Sequence, residues 1–293
     1  MIERIASIAE LRQAVSSARR EDKTAGFVPT MGALHAGHVS LVHAARKRTG
    51  FVVVSIFVNP TQFGPGEDFE RYPRDIDHDL ELLAAEGVDL VFTPSVETMY
   101  GPDADRVLRL SVDPGPLGEI WEGAVRPGHF RGVATIVAKL LNVVRPDLAF
   151  FGEKDYQQLA LVRRLVSDLD IPTGIVGCSV VREHDGLALS SRNVYLSAEE
   201  RKRAVVLSKA LDAAAEALAW GERSGTALAG LMAGVIGAED GVVLDYAAVV
   251  DPETLAPLDS VDGPGRALVA ARFGTTRLID TCELRPPLPP SAS

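Results

Sequence analysis

The stretch GFVPTMGALHAGHVSLVHAARKRTGFVVVSIFV, residues 26–58, carries the first decision about the fold. Gly26-Phe27-Val28-Pro29-Thr30 reads as a short strand. Val39 to Arg48 then sets Val39, Leu41, Val42 and Ala45 on one face at helical spacing. Phe51 to Val58 is β-branched and apolar at both parities, as a strand buried on both faces should be. Strand, helix and strand in this order predict a βαβ unit with parallel strands.

Working outward, the same alternation continues. Asp75–Glu86 is a helix that opens on acids and stops at Gly87, and Val88–Thr93 is the next strand. A helix over Gly132–Val144 stops before Pro146. Asp147–Phe151 is a strand, Tyr156–Asp168 a helix and Thr173–Val181 a strand. The pattern predicts an α/β fold: a Rossmann-like, doubly wound parallel sheet over residues 1–184. Beyond about 185 the style changes. Ser197 is an N-cap followed by acids, a long Ala-rich helix runs to about Trp220, and a second helix covers Thr226–Ile236. Val242–Val250 and Ala267–Arg272 are strands, with Arg277–Ile279 extending the sheet. Residues 185–284 are therefore expected to form a smaller C-terminal α+β domain, and 285–293 (RPPLPPSAS) a flexible tail.

Of 293 residues, 46% are hydrophobic and 24% charged, the balance of a globular protein rather than a disordered or collagen-like one. The apolar run Phe51–Val58 is far short of the roughly 18–20 residues that cross a bilayer, so no membrane role is expected. The amphipathic start MIERIASIAELRQAV does not read as a secretory signal. Two cysteines, Cys178 and Cys282, suit a reducing cytoplasm. A net charge of −10 without a basic patch argues against a nucleic-acid partner.

Four segments carry chemistry. Pro29-Thr30-Met31-Gly32-Ala33-Leu34-His35-Ala36-Gly37-His38 joins the first strand to its helix, where an open α/β sheet binds ligands and a helix N-terminus meets phosphate. His35 and His38 share one helical face. A P-loop is excluded because His38 and Val39 stand where Lys and Ser/Thr belong, and GxGxxG is absent from this turn. A metal-binding HxxH pair lacks further ligands nearby. In the second segment, Asn59 and Gln62 of NPTQFG offer neutral donors and acceptors to a hydroxyl-bearing substrate. The third, Phe151 to Gln158 (FGEKDYQQ), offers Lys154 to phosphate and Asp155 to a ribose, an amine or the helix start. The fourth, Val181-Arg182-Glu183 through Leu189-Ser190-Ser191-Arg192-Asn193, sets two hydroxyls beside a guanidinium. His129 lies in a basic loop, RPGHFR, and is a candidate for the site lining. Read alone, each of the last three segments is equally an ordinary polar turn or linker.

Together these pieces are specific. PTMGALHAGH resembles the HxGH motif of the nucleotidyltransferase superfamily, which includes the class I aminoacyl-tRNA synthetases, and LSSRN resembles its second phosphate motif with the lysines replaced. With SIFVNPTQF, the YPR of Tyr72–Arg74, FGEKDYQQ and DGLALSSRN, the chain resembles the pantoate–β-alanine ligase family from about residue 24 to 212, and more weakly beyond. The resemblance implies ATP-dependent condensation of pantoate with β-alanine to pantothenate (vitamin B5, toward coenzyme A) through a pantoyl adenylate, releasing AMP and pyrophosphate. It implies a cytoplasmic homodimer that uses Mg²⁺, with the smaller domain as a lid.

Carried onto this sequence, the resemblance assigns ATP to Pro29, Thr30, Met31–His38, Gly152, Glu153, Lys154, Asp155, Val181, Leu189, Ser190, Ser191 and Arg192. His38, His35, Lys154 and Arg192 are the implied catalytic set. Gln62, Gln158, Asn59 and His129 are assigned to pantoate and β-alanine. The loop after YPR, which supplies acids near the metal in some members, reads Asp75-Ile76-Asp77-His78-Asp79, so no magnesium ligand is named. The nearest rival is another adenylyl- or cytidylyltransferase of the superfamily. A non-catalytic nucleotide-binding protein on the same scaffold is a second.

Overall fold

The structure, a computed structural model, describes residues 2–102 and 110–287. The chain divides into two compact units, Met1–Glu153 with Leu161–Ser179, and Lys154–Ala160 with Val180–Ser293. Of the tail expected at 285–293, residues 288–293 lie outside the described residues.

The first unit is built on a six-stranded sheet of order β1-β4-β3-β2-β5-β6, every pair parallel. Its strands are β1 (Glu3–Ile5), β2 (Ala25–Thr30), β3 (Phe51–Ile56), β4 (Leu90–Phe92), β5 (Leu148–Gly152) and β6 (Gly174–Cys178). Its helices are α1 (Ile8–Arg20), α2 (Ala36–Arg48), α3 (Ile76–Ala85), α4 (Val96–Tyr100), α5 (Glu122–Val125) and α6 (His129–Val144), together with most of α7 (Tyr156–Asp168). On one face, Val28, Val52, Val54, Val91 and Phe150 pack with Leu41, Val42 and Ala45 of α2 and Leu83 of α3. Each such buried side chain stabilises by about 1.5–3 kcal/mol. Elsewhere α1 and α6 pack on β2 and on each other.

From β2 the chain winds outward to β3 and β4, then returns to place β5 on the other side of β2. The switch point lies between β2 and β5, and their pairing is short: only Gly26↔Leu148 and Phe27↔Ala149. The reason can be read from the backbone. Ala25 donates its N–H to the Asp147 carboxylate and accepts from the Asp147 N–H, so residues 25, 27 and 29 face β5. Thr30 accepts from Phe57 N, so the even residues face β3. Pro29, which has no N–H, therefore presents its missing donor on the β5 side, where the ladder has already ended.

Several boundaries differ from those expected. Helix α2 begins at Ala36 rather than Val39 because His35 caps it. Helix α6 begins at His129 rather than Gly132, after Gly128 at φ 83°. Its Gly132 is required, since a Cβ there would overlap the Thr61 carbonyl and the Gln62 nitrogen. The sequence reading also missed β1, α1, α4 and α5.

In the second unit, α8 (Ala198–Ala204), α9 (Val206–Ala219) and α10 (Gly225–Gly237) accompany an antiparallel sheet β7-β8-β9. Its strands are β7 (Val242–Val250), β8 (Gly265–Phe273) and β9 (Thr276–Leu284). The long helix expected to Trp220 is broken at Val205, whose carbonyl accepts from the Ser208 hydroxyl. Leu207, Leu211, Leu228, Met232, Ile236, Val269 and Phe273 form its core. The β8–β9 hairpin turns through Gly274-Thr275, with Gly274 at φ 57°.

Gly132→Ala is expected to cost about 1–3 kcal/mol by overpacking the α6 contact with residues 61–62. A urea unfolding midpoint indistinguishable from wild type would contradict the contact.

Candidate active site

The turn that follows β2 is held in a conformation it would not adopt unaided. Gly32 has φ 84° and Ala33, a non-glycine, φ 51°. Left-handed alanine costs of order 1–2 kcal/mol. It is stabilised by Asp79 of α3, whose Oδ2 accepts from Ala33 N at 3.0 Å and whose Oδ1 accepts from Leu34 N at 2.8 Å. Hydrogen bonds to a charged group contribute about 1.5–3 kcal/mol each, enough to offset the strain. Asp79 is 1% exposed. Burial pushes its carboxyl up from the usual range, and the two N–H donors oppose that rise. Before the turn, the Thr30 hydroxyl donates to the Ser55 carbonyl at 2.7 Å and accepts from Gly32 N at 3.3 Å.

The turn delivers His35 as the N-cap of α2. Its Nδ1 accepts from Gly37 N at 3.1 Å, while Nδ1 of His38 accepts from His35 N at 3.3 Å. This is a capping box made of two imidazoles. A ring nitrogen that accepts an N–H carries no proton, so each ring is the Nε2–H tautomer. The ring centroids lie 4.1 Å apart at 43°. Two half-buried imidazoles are thus locked as Nε2 donors at the carboxyl end of the strand bordering the switch point.

Gln62 stands beside the turn, its Nε2 donating to Met31 Sδ at 3.1 Å. Its Oε1 accepts from Asn59 Nδ2 at 3.0 Å. Its carbonyl accepts from His129 Nδ1 at 2.7 Å and from Arg126 at 3.3 Å. Arg126 is in turn gripped by both oxygens of Glu67, at 2.8 and 2.5 Å. Burial pushes the Glu67 carboxyl up, but the Arg126 hydrogen bond and charge outweigh it and leave the group below its usual range.

Two of the residues expected at the ligand have their polar groups engaged within the protein. Asn59, 1% exposed, spends its amide on Gln62 and the Gly132 carbonyl, and its oxygen accepts from Thr61 and Tyr100. His129 spends both nitrogens, Nδ1 on Gln62 and Nε2 on Arg126 at 3.1 Å. Both hold Gln62. Burial, helped by the Arg126 charge, pushes the His129 imidazole down to about 4.

The expected residues Pro29, Thr30, Met31–His38, Asn59, Gln62, His129, Gly152 and Glu153 all lie in the first unit, Gly152 and Glu153 at the end of β5. Lys154, Asp155, Gln158, Val181 and Leu189–Arg192 lie in the second. There, Tyr156 anchors the first turn of α7: its ring lies 4.1 Å under the Arg266 guanidinium and its hydroxyl donates to the Pro252 carbonyl at 3.2 Å. Lys154 Nζ is 4.0 Å from Asp155 Oδ1.

Val181 and Leu189 are joined by Leu189 N to Val181 O at 2.9 Å in a small hairpin that turns at Gly186. Arg182 clamps that hairpin to β9 through both oxygens of buried Asp280, at 2.6 and 3.0 Å. The motif that follows is a turn of 3₁₀ helix, with Ser190 Oγ accepting from Arg192 N at 3.2 Å. Arg182 lay within the fourth candidate segment without a role of its own, and Arg126, Glu67 and Asp79 were not read as site residues. Asp79 carried a signal: four residues before Leu83, it is a carboxylate on the buried stripe of α3.

The parallel sheet thus carries a His-x-Gly-His helix start at its switch point. A family model described as pantoate-beta-alanine ligase matches residues 3–283. The chain is 54% identical to a pantothenate synthetase of Rubrobacter xylanophilus over 94% of its length and 96% of that protein's. It is similar to the crystal structure of pantothenate synthetase from Thermus thermophilus, with a TM-score of 0.91 and 51% identity over 97% of this chain and 100% of that one. A pantoate-beta-alanine ligase from Francisella tularensis, solved in complex with beta-gamma ATP and beta-alanine, matches at TM-score 0.78 and 34% identity, over 96% of this chain and 97% of that one. The chain belongs to the pantoate–β-alanine ligase family, and its reaction is the ligation of pantoate to β-alanine. No helix among the described residues is long and apolar enough to cross a membrane.

The His129 imidazole gives a pH dependence of known sign. Between about 6.5 and 4 the unfolded chain binds a proton that the folded protein refuses, so stability falls as pH drops through that window and is constant above it. The loss by pH 4 is on the order of 3 kcal/mol. In urea titrations across this window, His129→Gln should lose stability less steeply than wild type, and parallel curves would refute the buried neutral imidazole.

Proposed function

We propose that the enzyme activates pantoate with ATP. One pantoate carboxylate oxygen bonds to the α-phosphorus as the bond from that phosphorus to the bridging oxygen of pyrophosphate breaks. β-Alanine's neutral amine then attacks the carbonyl of the pantoyl adenylate, forming the amide, expelling AMP and losing a proton to solvent. The observation that carries this reading is the imidazole pair. Both rings are held by backbone N–H groups as Nε2 donors, which suits them to charge developing on phosphate oxygens.

A carboxylate is ionised at neutral pH and needs no general base for its attack, so positioning and charge neutralisation are the whole task. Gln62 is fixed at its amide and at its carbonyl, which supports a role in orienting pantoate, with Gln158 as a second such amide on α7. Lys154, Ser190, Ser191 and Arg192 are assigned to phosphate, and Gly152, Glu153, Asp155, Val181 and Leu189 to the nucleotide, on their groups and motifs. The free cysteines Cys178 and Cys282 support a cytoplasmic setting, and family resemblance supports a homodimer.

A dedicated protein cage for Mg²⁺ does not fit these residues. Asp79 has both oxygens on backbone donors, and no group of three or more ligating side chains is gathered among the described residues. Magnesium would travel with the phosphates and water, and no step here depends on it.

Exchange of labelled pyrophosphate into ATP tests the reading. It should require pantoate and proceed without β-alanine. Exchange that ignores pantoate, or an adenylylated final product in place of AMP and an amide, would favour the nucleotidyltransferase alternative. His38→Ala should lower kcat by roughly 10²–10³ in that assay. Turnover near wild type would remove His38 from the chemistry.

A further inference from the structure

Consecutive backbone N–H groups in left-handed or turn conformation form a nest that binds an anion. The turn through Gly32 and Ala33 aims two such groups, Ala33 N and Leu34 N, at one place directly before the histidine pair. The expected occupant is a phosphate of the nucleotide. The structure gives the nest an occupant from the chain itself: the Asp79 carboxylate, buried and bonded through a different oxygen to each of Ala33 N and Leu34 N. A Cβ on Gly32 would come to 3.0 Å from Asp79 Oδ2, so the glycine and the carboxylate are fitted to one another.

We infer that Asp79 is a positioning residue for the ligation, an internal anion that takes the place of phosphate in the Gly32–Leu34 nest and thereby sets the two imidazoles. The coupling is short and covalently continuous. Leu34 N, held by Asp79, is one residue from His35, whose own N–H selects the tautomer of His38 and whose ring caps Gly37. Leu34 is itself buried against the α2–α3 core, so the turn is pinned on both its polar and its apolar side. The turn N–H groups of Ala33 and Leu34 are consequently committed to Asp79, and contact with phosphate falls to the imidazoles and the start of α2. This inference rests on the assignment of His35 and His38 to the nucleotide.

The test begins on the wild-type enzyme without substrates. Slow hydrogen exchange is expected for the Ala33 and Leu34 amides, and exchange at the rate of an unprotected loop would overturn the inference whatever the variants do. Long-range ¹H–¹⁵N spectra should show His35 and His38 as single Nε2–H tautomers.

Asp79→Asn keeps the shape but can accept only one of the two N–H groups. It should give mixed imidazole tautomers and a kcat for pyrophosphate exchange lower by roughly 10–100-fold, with KM for pantoate unchanged. Unaltered imidazole spectra with wild-type kcat would overturn the inference, as would a loss confined to KM. Placed on His38→Ala, the same substitution should cost far less than it does on wild type, and full additivity would show that Asp79 acts independently of the histidines. Wild-type turnover in His38→Ala alone would instead overturn the phosphate assignment of the histidines, while the amide and imidazole data still decide whether Asp79 holds the turn.

Discussion

A parallel sheet stays hydrogen-bonded from end to end unless a strand withholds a donor or the chain changes the side on which it adds strands. At β2 both happen. The chain leaves toward β3 and β4 on one side and returns to β5 on the other, and Pro29 removes an N–H from the β5-facing edge beyond the last paired residues, Phe27 and Ala149. Everything that follows depends on this short pairing. It frees the carboxyl end of β2 from its neighbour, so the turn after Thr30 can be shaped by side chains rather than by the ladder.

Those side chains shape it with little redundancy. Asp79 occupies the nest, Thr30 links the turn to β3 through the Ser55 carbonyl, and the imidazoles cap one another. The result is pre-organisation: the donors are set before a ligand arrives, so less reorganisation is needed at the moment of reaction. The same logic governs Gln62. Asn59 fixes one end of its amide, Met31 meets the other, and His129 and Arg126 share its carbonyl. In each case a residue proposed to meet the substrates is held by one that is not.

The second unit applies a different device to a similar end. A hairpin over residues 181–189, clamped by the Arg182–Asp280 pair, supplies the frame from which LSSRN departs. Removing Arg182 would leave a buried carboxylate without its cation, so the pair is costlier to break than its net contribution suggests. Tyr156 frames the start of α7 in a comparable way, with Arg266 over its ring.

The alternation of apolar runs and amphipathic segments sufficed for the parallel α/β sheet, and a strand such as Phe51–Ile56 was legible because burial on both faces leaves an unbroken apolar run. The motifs that hold His35, His38, Gln62 and LSSRN could be singled out because each is local to a few positions. What the sequence by itself determined is therefore periodicity and composition, which act between near neighbours in the chain. Only the tertiary structure decided that Asn59 and His129 face Gln62, that Asp79 fills the Ala33–Leu34 nest, and that Val181 meets Leu189. The longest-range of these, His129 to Gln62 and Asp79 to the turn, join residues 67 and 45–46 positions apart, and a buried polar group takes whichever partner the packing brings within about 3 Å of it.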